Sequence, residues 1–154
     1  MNAAPILAHI AQLLAKHKLD AVLIGNAAAA LQGAPVTTVD LDFMFRDTLR
    51  NLQKLRRIAD DLDAAIMRPF YSASALYPVV RDRDSLQLDF MTKIDGLRSY
   101  NSLRSRADVV RFKAHEVRVA TLNDIIRSKA AANRPEDRAV LPILRKTLSE
   151  KENA

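Results

Sequence analysis

Leu23-Ile24-Gly25-Asn26, separated by thirteen residues from Asp40-Leu41-Asp42-Phe43, is the stretch whose reading decides the fold. An apolar run ends in glycine. A short Ala-rich run follows, and a second apolar run carries two aspartates one residue apart. Alternate residues of a strand point to the same side. Asp40 and Asp42 therefore share one face, and Leu41 and Phe43 share the other. Two carboxylates held that close repel each other, and the pKa of at least one rises unless a cation lies between them. The pair reads as a candidate metal site.

Outward from this stretch the pattern is that of one α/β chain. Pro5 to Lys18 has apolar residues at helical spacing, with Lys16 and Lys18 at its C-terminal end; His9 and His17 read as unpaired flank histidines. Ala21 to Ile24 reads as a buried strand ended by Gly25, with Asn26 as N-cap of a helix from Ala27 to Gln32 and Gly33 beyond it. A helix N-terminus placed straight after a strand offers free N–H groups to phosphate. Val39 to Phe45 is the second strand. Asp47 or Thr48 caps a helix over about Leu49 to Ala64, whose Arg50, Lys54, Arg56 and Arg57 read as a solvated face.

Pro69 to Ser74 reads as a loop. Leu76 to Arg81 and Ser85 to Met91 read as strands joined at Asp82-Arg83-Asp84. In the second of these, Leu86, Leu88 and Phe90 point one way while Gln87, Asp89 and Met91 point the other. Asp89 thus repeats the pattern of Asp40 and Asp42. Leu97 to Arg106 is a helix or basic loop. Val109 to Phe112 and Glu116 to Ala120 form a hairpin with His115 at its turn. Thr121 starts a helix, with Asp124 as a capping-box acid, that ends near Ala132. Pro135 begins the last helix, expected to fray into a charged tail from Lys146 to Ala154.

Composition sets the bounds. A chain of 154 residues, 49% apolar, is long enough for one real core, and the absence of cysteine excludes disulfides and thiolate zinc sites. No apolar run approaches the roughly 20 residues that span a bilayer, and no signal peptide is visible, so a cytoplasmic protein with no membrane partner is expected. A net charge of +6 favours polyanionic partners such as nucleic acid or nucleotide phosphates.

With Asp89 added, the constellation suits phosphate chemistry. Magnesium takes one or two carboxylates and fills its octahedron with water and substrate phosphate. A further acid is then available to bind a second metal or to accept the proton of an incoming hydroxyl.

Ile24-Gly25-Asn26, then Asp40-Leu41-Asp42, then Leu88-Asp89-Phe90, resembles the DNA polymerase β-like nucleotidyltransferase superfamily. The C-terminal run Thr121-Leu122-Asn123-Asp124-Ile125-Ile126, Lys129, Ala130 to Ala132 and Arg134-Pro135-Glu136-Asp137 is similar to the small bacterial branch near the AbiEii-type toxins. The resemblance implies an α/β (α+β) nucleotidyltransferase-like fold, a small mixed sheet flanked by helices with C-terminal helices. It implies one domain over residues 1–154, with a core over about 20–120 and helices over about 121–148. By the same resemblance Asp40, Asp42 and Asp89 are the metal and catalytic acids. Gly25, Asn26 and Thr38 lie at the nucleotide, and Lys129 reaches its phosphates with Arg134 and Asp137 nearby. From the residues alone, Lys129 reads equally as an exposed helix lysine and Asp137 as a first-turn acid.

The implied activity is Mg2+-dependent transfer of a nucleoside monophosphate from a nucleoside triphosphate to a hydroxyl of RNA, such as tRNA, or of a protein. A cognate toxin or antitoxin partner is implied with it. Two positions differ from many relatives. Asn26 stands where Gly or Ser is usual, and Val36 stands where an arginine precedes the first aspartate by four residues. They support an alternative reading, a catalytically weak binding or antitoxin module acting through a protein or nucleic-acid partner. A basic nucleic-acid-binding domain without a nucleotide site is a third.

Overall fold

The computed structural model describes residues 4–37, 40–67, 75–97 and 99–154. The Pro69–Ser74 loop, Thr38, Val39 and Arg98 lie outside the described residues. The elements in order are α1 (Ala4–His17), β1 (Ala21–Ile24), α2 (Gly25–Leu31), β2 (Leu41–Phe45), α3 (Leu49–Asp61), β3 (Ala65–Ile66), β4 (Leu76–Arg81), β5 (Leu86–Met91), α4 (Tyr100–Arg106), β6 (Asp108–Phe112), β7 (His115–Val119), α5 (Leu122–Ala132) and α6 (Pro135–Glu152). A 3-10 turn, Asp82–Asp84, joins β4 to β5.

The strands form one mixed seven-stranded sheet in the order β3-β4-β5-β2-β1-β7-β6. β1 runs antiparallel to β2 and parallel to β7, while β2 and β5 are parallel. The fold is the mixed α/β architecture expected from the sequence.

Aromatic packing fixes the register at the centre. Phe43 lies directly opposite Phe90, their rings stacked at 5.1 Å, and Phe45 meets both Phe90 and Tyr77 edge-on. All three phenylalanines are fully buried. A slip of one residue would turn these rings out of the core, so the register is strongly held. The same register sets Asp42 directly opposite Asp89 on the other face. The apolar side of β2 and β5 thereby positions the acids. On that apolar side α3 buries Leu55, Ile58 and Ala59, and a cavity between α3 and the sheet is lined by Tyr77 and Ile66. On the acid side, α2 and α5 cover the β1 and β2 region.

Several local expectations are corrected. Asn26 is not an N-cap: α2 begins at Gly25, and Ile24 caps it without a side-chain hydrogen bond. His115 opens β7, and the turn is made by Lys113, with φ +55°, and Ala114. His17 is paired, its Nε2 lying 2.7 Å from Asp61, which also takes Lys16 at 2.8 Å and links α1 to α3. The last helix continues to Glu152 because Thr147 is buried and Lys151 donates to Gln32 at 3.2 Å, anchoring its final turn. The caps at Thr48 and Thr121 are present, each accepting a backbone N–H three residues on.

Candidate active site

β1 ends at Ile24, and the chain turns at Gly25 straight into α2. Gly25 has φ +69°, and a Cβ built on it would lie 2.7 Å from Asp42 Oδ2. Glycine is required there twice over, by the left-handed backbone and by the close approach of the carboxylate. Ile24 pairs with Asp42 across β1 and β2, so the strand end and the acid stand side by side.

Asp42 and Asp89 are adjacent on parallel strands and half-buried. Burial, then the charge of Asp89, then that of Asp40, pushes the Asp42 carboxyl up to about 6, against the opposing charges of Lys129 and Arg134. Asp40 stands just before β2 at the exposed lip of the site. Gln87, two residues before Asp89 on the same face, donates its amide to Asp89 Oδ1 at 3.1 Å.

The wall opposite the sheet comes from α5 and the start of α6. Lys129 has a side chain only 11% exposed, its Nζ 3.6 Å from Asp137 Oδ1. Arg134 donates to Asp137 from its backbone N–H at 3.1 Å, from Nε at 2.7 Å and from its terminal nitrogen at 3.1 Å. Asp137 itself is fully buried. Burial pushes its carboxyl up, but the Arg134 hydrogen bonds and the charges of Arg134 and Lys129 outweigh this and hold it below the usual carboxylate range.

These groups surround a cavity of about 450 Å³. Gly25, Asp42, Asp89, Lys129 and Arg134 line it at one end. Ile94, Leu97, Ala120, Ile125 and Met91 give it an apolar interior. The segment that carries Ile94 and Leu97 is pressed against α5 through Gly96, where a Cβ would lie 2.7 Å from the Arg127 carbonyl oxygen.

Of the residues singled out in the sequence, the fold brings Gly25, Asp42, Asp89, Lys129 and Arg134 around this cavity. Asp137 is not on its surface but behind it, as the counter-charge of Lys129 and Arg134. Asn26 is absent from the lining, and its Oδ1 is buried with no hydrogen-bond partner among the described residues. Thr38 lies outside the described residues. Val36 packs against the core. Gln87 was missed, although its spacing of two from Asp89 on a strand places it on the same face. Asp124, expected only as a cap, is 2% exposed, lines the cavity and is paired with Arg106 at 2.8 Å.

Among the described residues no group of three or more acids and histidines gathers tightly enough to be a metal site by itself. The Asp42–Asp89 pair fits magnesium in another way. It offers two hard carboxylates with excess negative charge, the number such an ion takes from protein when phosphate and water fill the rest.

The fold has close structural counterparts. A candidate nucleotidyltransferase from Thermotoga maritima superposes with a TM-score of 0.65 at 22% identity, covering 95% of this chain and 92% of that one. The lincosamide antibiotic adenylyltransferase LnuA, solved with lincomycin, gives 0.66 at 12% identity, covering 92% and 95%. The enzyme ANT(2″)-Ia, solved with adenylyl-2″-tobramycin, gives 0.67 at 15% identity, covering 98% and 92%. At these identities the likeness is one of fold. No curated protein matches the sequence. A family model, described as nucleotidyl transferase of unknown function (DUF2204), matches residues 3–153. The chain belongs to that nucleotidyltransferase family.

Proposed function

We propose that the protein is a magnesium-dependent nucleotidyltransferase that moves a nucleoside monophosphate from a nucleoside triphosphate to a hydroxyl. The observation that carries this is the register-locked pair Asp42 and Asp89 at the mouth of a cavity whose other wall holds Lys129 and Arg134.

Asp42 and Asp89 would hold the metal, with Asp40 at the lip adding negative charge. A bound magnesium ion supplies charge neutralisation of the phosphates and of the pair. Lys129 and Arg134 meet the triphosphate as fixed positive charges, and the N–H group of Gly25, which lines the cavity at the start of α2, adds a neutral donor. Asp137 holds the two cations in place. The acceptor hydroxyl loses its proton to the Asp89 carboxylate, and its oxygen forms a new bond to the α-phosphorus. The bond from that phosphorus to the bridging oxygen breaks, and pyrophosphate leaves with the electron pair. Most of the rate enhancement comes from positioning and charge stabilisation.

The fold neighbours described as a lincosamide antibiotic adenylyltransferase and as a complex with adenylyl-2″-tobramycin support adenylyl transfer to a small molecule as readily as to RNA or protein. Incubation of the chain with each α-labelled nucleoside triphosphate, Mg2+ and a bacterial lysate tests the reading. Label transferred by the wild type and lost in Asp42→Ala supports it. A wild type that neither binds Mg-ATP in a melting-temperature assay nor transfers label would falsify it.

A further inference from the structure

Asp124 lines the cavity and takes no part in the chemistry described above. It stands in the first turn of α5, yet its carboxylate does not cap that helix. At the head of α6, Asp137 returns an oxygen to the backbone N–H of Arg134, closing a capping box. At the head of α5 the Asp124 N–H donates to Thr121 Oγ1 at 3.2 Å, and the Asp124 side chain turns elsewhere. Its Oδ2 takes Arg106 Nε at 2.8 Å. That is the one side-chain hydrogen bond Asp124 accepts among the described residues, although it is 2% exposed. An ionised carboxylate has about four acceptor sites. A buried carboxylate with acceptor capacity left on a cavity wall calls for a donor from whatever fills the cavity.

The strand order decides which substrate that is. Across the acid face come β5 with Asp89, β2 with Asp42, β1 leading into Gly25, and β7 leading through Ala120 into α5 and Asp124. Neighbouring strands lie about 4.8 Å apart, so roughly 14 Å separates β5 from β7. The acceptor hydroxyl belongs at the β5 end, where Asp89 takes its proton, and phosphate and metal belong at the centre. The nucleoside is left with the β7 end. Asp124 and Lys129 both line the cavity from α5, about 7.5 Å apart along its axis, so one nucleotide can touch both. Ile94, Leu97, Ala120 and Ile125 line the cavity with Asp124, while Lys93 and Asp95 join it from exposed positions. Apolar walls with a buried acceptor suit a flat base read at one edge.

We propose that Asp124 reads the nucleobase of the donor triphosphate and selects one with an exocyclic amino group, adenine or cytosine. This deepens, and rests on, the nucleotidyl-transfer reading. A carboxylate accepts and cannot donate. The amino group of adenine or cytosine donates to it, whereas the O4 of uracil is itself an acceptor and is repelled. Arg106 is a positioning residue. It holds Oδ2, so that Oδ1 meets the base.

The test measures Mg2+-dependent binding of nucleoside triphosphates to the full chain by titration calorimetry. ATP is paired with purine riboside triphosphate, and CTP with pyrimidin-2-one riboside triphosphate, analogues that lack only the amino group. ATP, CTP or both should bind about tenfold or more tighter than the matched analogue, and the pair that shows the contrast gives the ring size. The 2′-deoxy and 3′-deoxy forms of ATP should bind like ATP. In Asp124→Asn, Arg106 retains the amide oxygen and the NH2 turns to the base, so UTP should overtake CTP, an inversion that a purely structural role would not produce. If that variant does not fold, the wild-type pairs decide alone. No contrast in either pair, a loss confined to the deoxy forms, or Asp124→Asn weakening all triphosphates alike would overturn the assignment and leave nucleotidyl transfer standing. A wild type that binds none of these triphosphates would instead overturn the parent reading, and base selection with it.

Discussion

Two aspartates, one lining the cavity and one buried behind its opposite wall, have opposite fates. Asp137 is fully buried, yet Arg134 and Lys129 satisfy it completely, and its carboxyl sits below the usual range. Asp42 is less buried, yet Asp89 faces it across the ladder, and its carboxyl is pushed up to about 6. One acid was given its counter-charge by the chain itself. The other was given a second acid. A buried charge paired within the chain is part of the scaffold, whereas a pair of like charges held together by the core is a demand for a cation from outside. The difference separates the residue that positions from the residues that react.

Removing either member of the unsatisfied pair should produce the largest effect. Asp42→Ala and Asp89→Ala should each lower label transfer from a nucleoside triphosphate by about a thousandfold or more, while the folded state persists by circular dichroism. A variant of either kind with near wild-type transfer would remove the pair from the mechanism.

The satisfied acid should respond in the reverse sense, through stability first. Asp137→Ala leaves the buried Lys129 without its partner and Arg134 with only Glu136, and should cost about 2–3 kcal/mol in urea unfolding. It should also weaken Mg-ATP binding, because the two cations are no longer held at the wall. If stability falls but Mg-ATP affinity measured on the folded fraction does not, Asp137 is scaffold only.

Gly25 joins the two regions, since it borders the carboxylate of Asp42. Gly25→Ala forces a left-handed backbone on alanine, at about 1–2 kcal/mol, and drives its Cβ into Asp42 Oδ2. Thermal melting should show the first effect, and a fall in transfer of about tenfold or more should report the displaced carboxylate.

The smallest expected change sharpens the comparison most directly. Asp42→Asn keeps the shape and removes the charge. Because the folded-state pKa of Asp42 is raised from 3.8 to about 6, its ionisation costs stability progressively as pH rises through that window. The variant should therefore be more stable than the wild type by about 1–2 kcal/mol near pH 8, with the gain fading toward about pH 4. Saturating Mg2+ should narrow the gap by binding only the wild-type pair. A variant less stable than the wild type at about pH 8 would mean that Asp42 is not under charge repulsion.

Much of the active-site wall formed by the sheet was legible in the sequence. Alternation along Leu41-Asp42-Phe43 and Leu88-Asp89-Phe90 named the buried and acid faces correctly, because a strand has a period of two and its core face must be apolar. The cap at Thr121 and the turn at Asp82-Arg83-Asp84 were legible for the same local reason. The misread positions depend on partners distant in the chain. His17 meets Asp61, and Lys151 meets Gln32, so neither the paired histidine nor the persistent last helix has a local signature. Asn26 has the composition of a cap, but the helix starts two residues early, at Gly25, where the chain passes close to Asp42.

The sequence by itself determined which residues alternate, roughly where most helices lie, and that Asp42 and Asp89 fall on polar faces of strands, while Asp40, expected on the second strand, stands just before β2. These follow from backbone periodicity and short-range hydrogen bonding. Only the tertiary structure decided that Phe43 stacks on Phe90, and so that Asp42 is set against Asp89 rather than one position away. It alone turned Asp137 inward beneath Lys129 and Arg134. Register and counter-charge are relations between elements far apart in the chain, and packing of the core sets both.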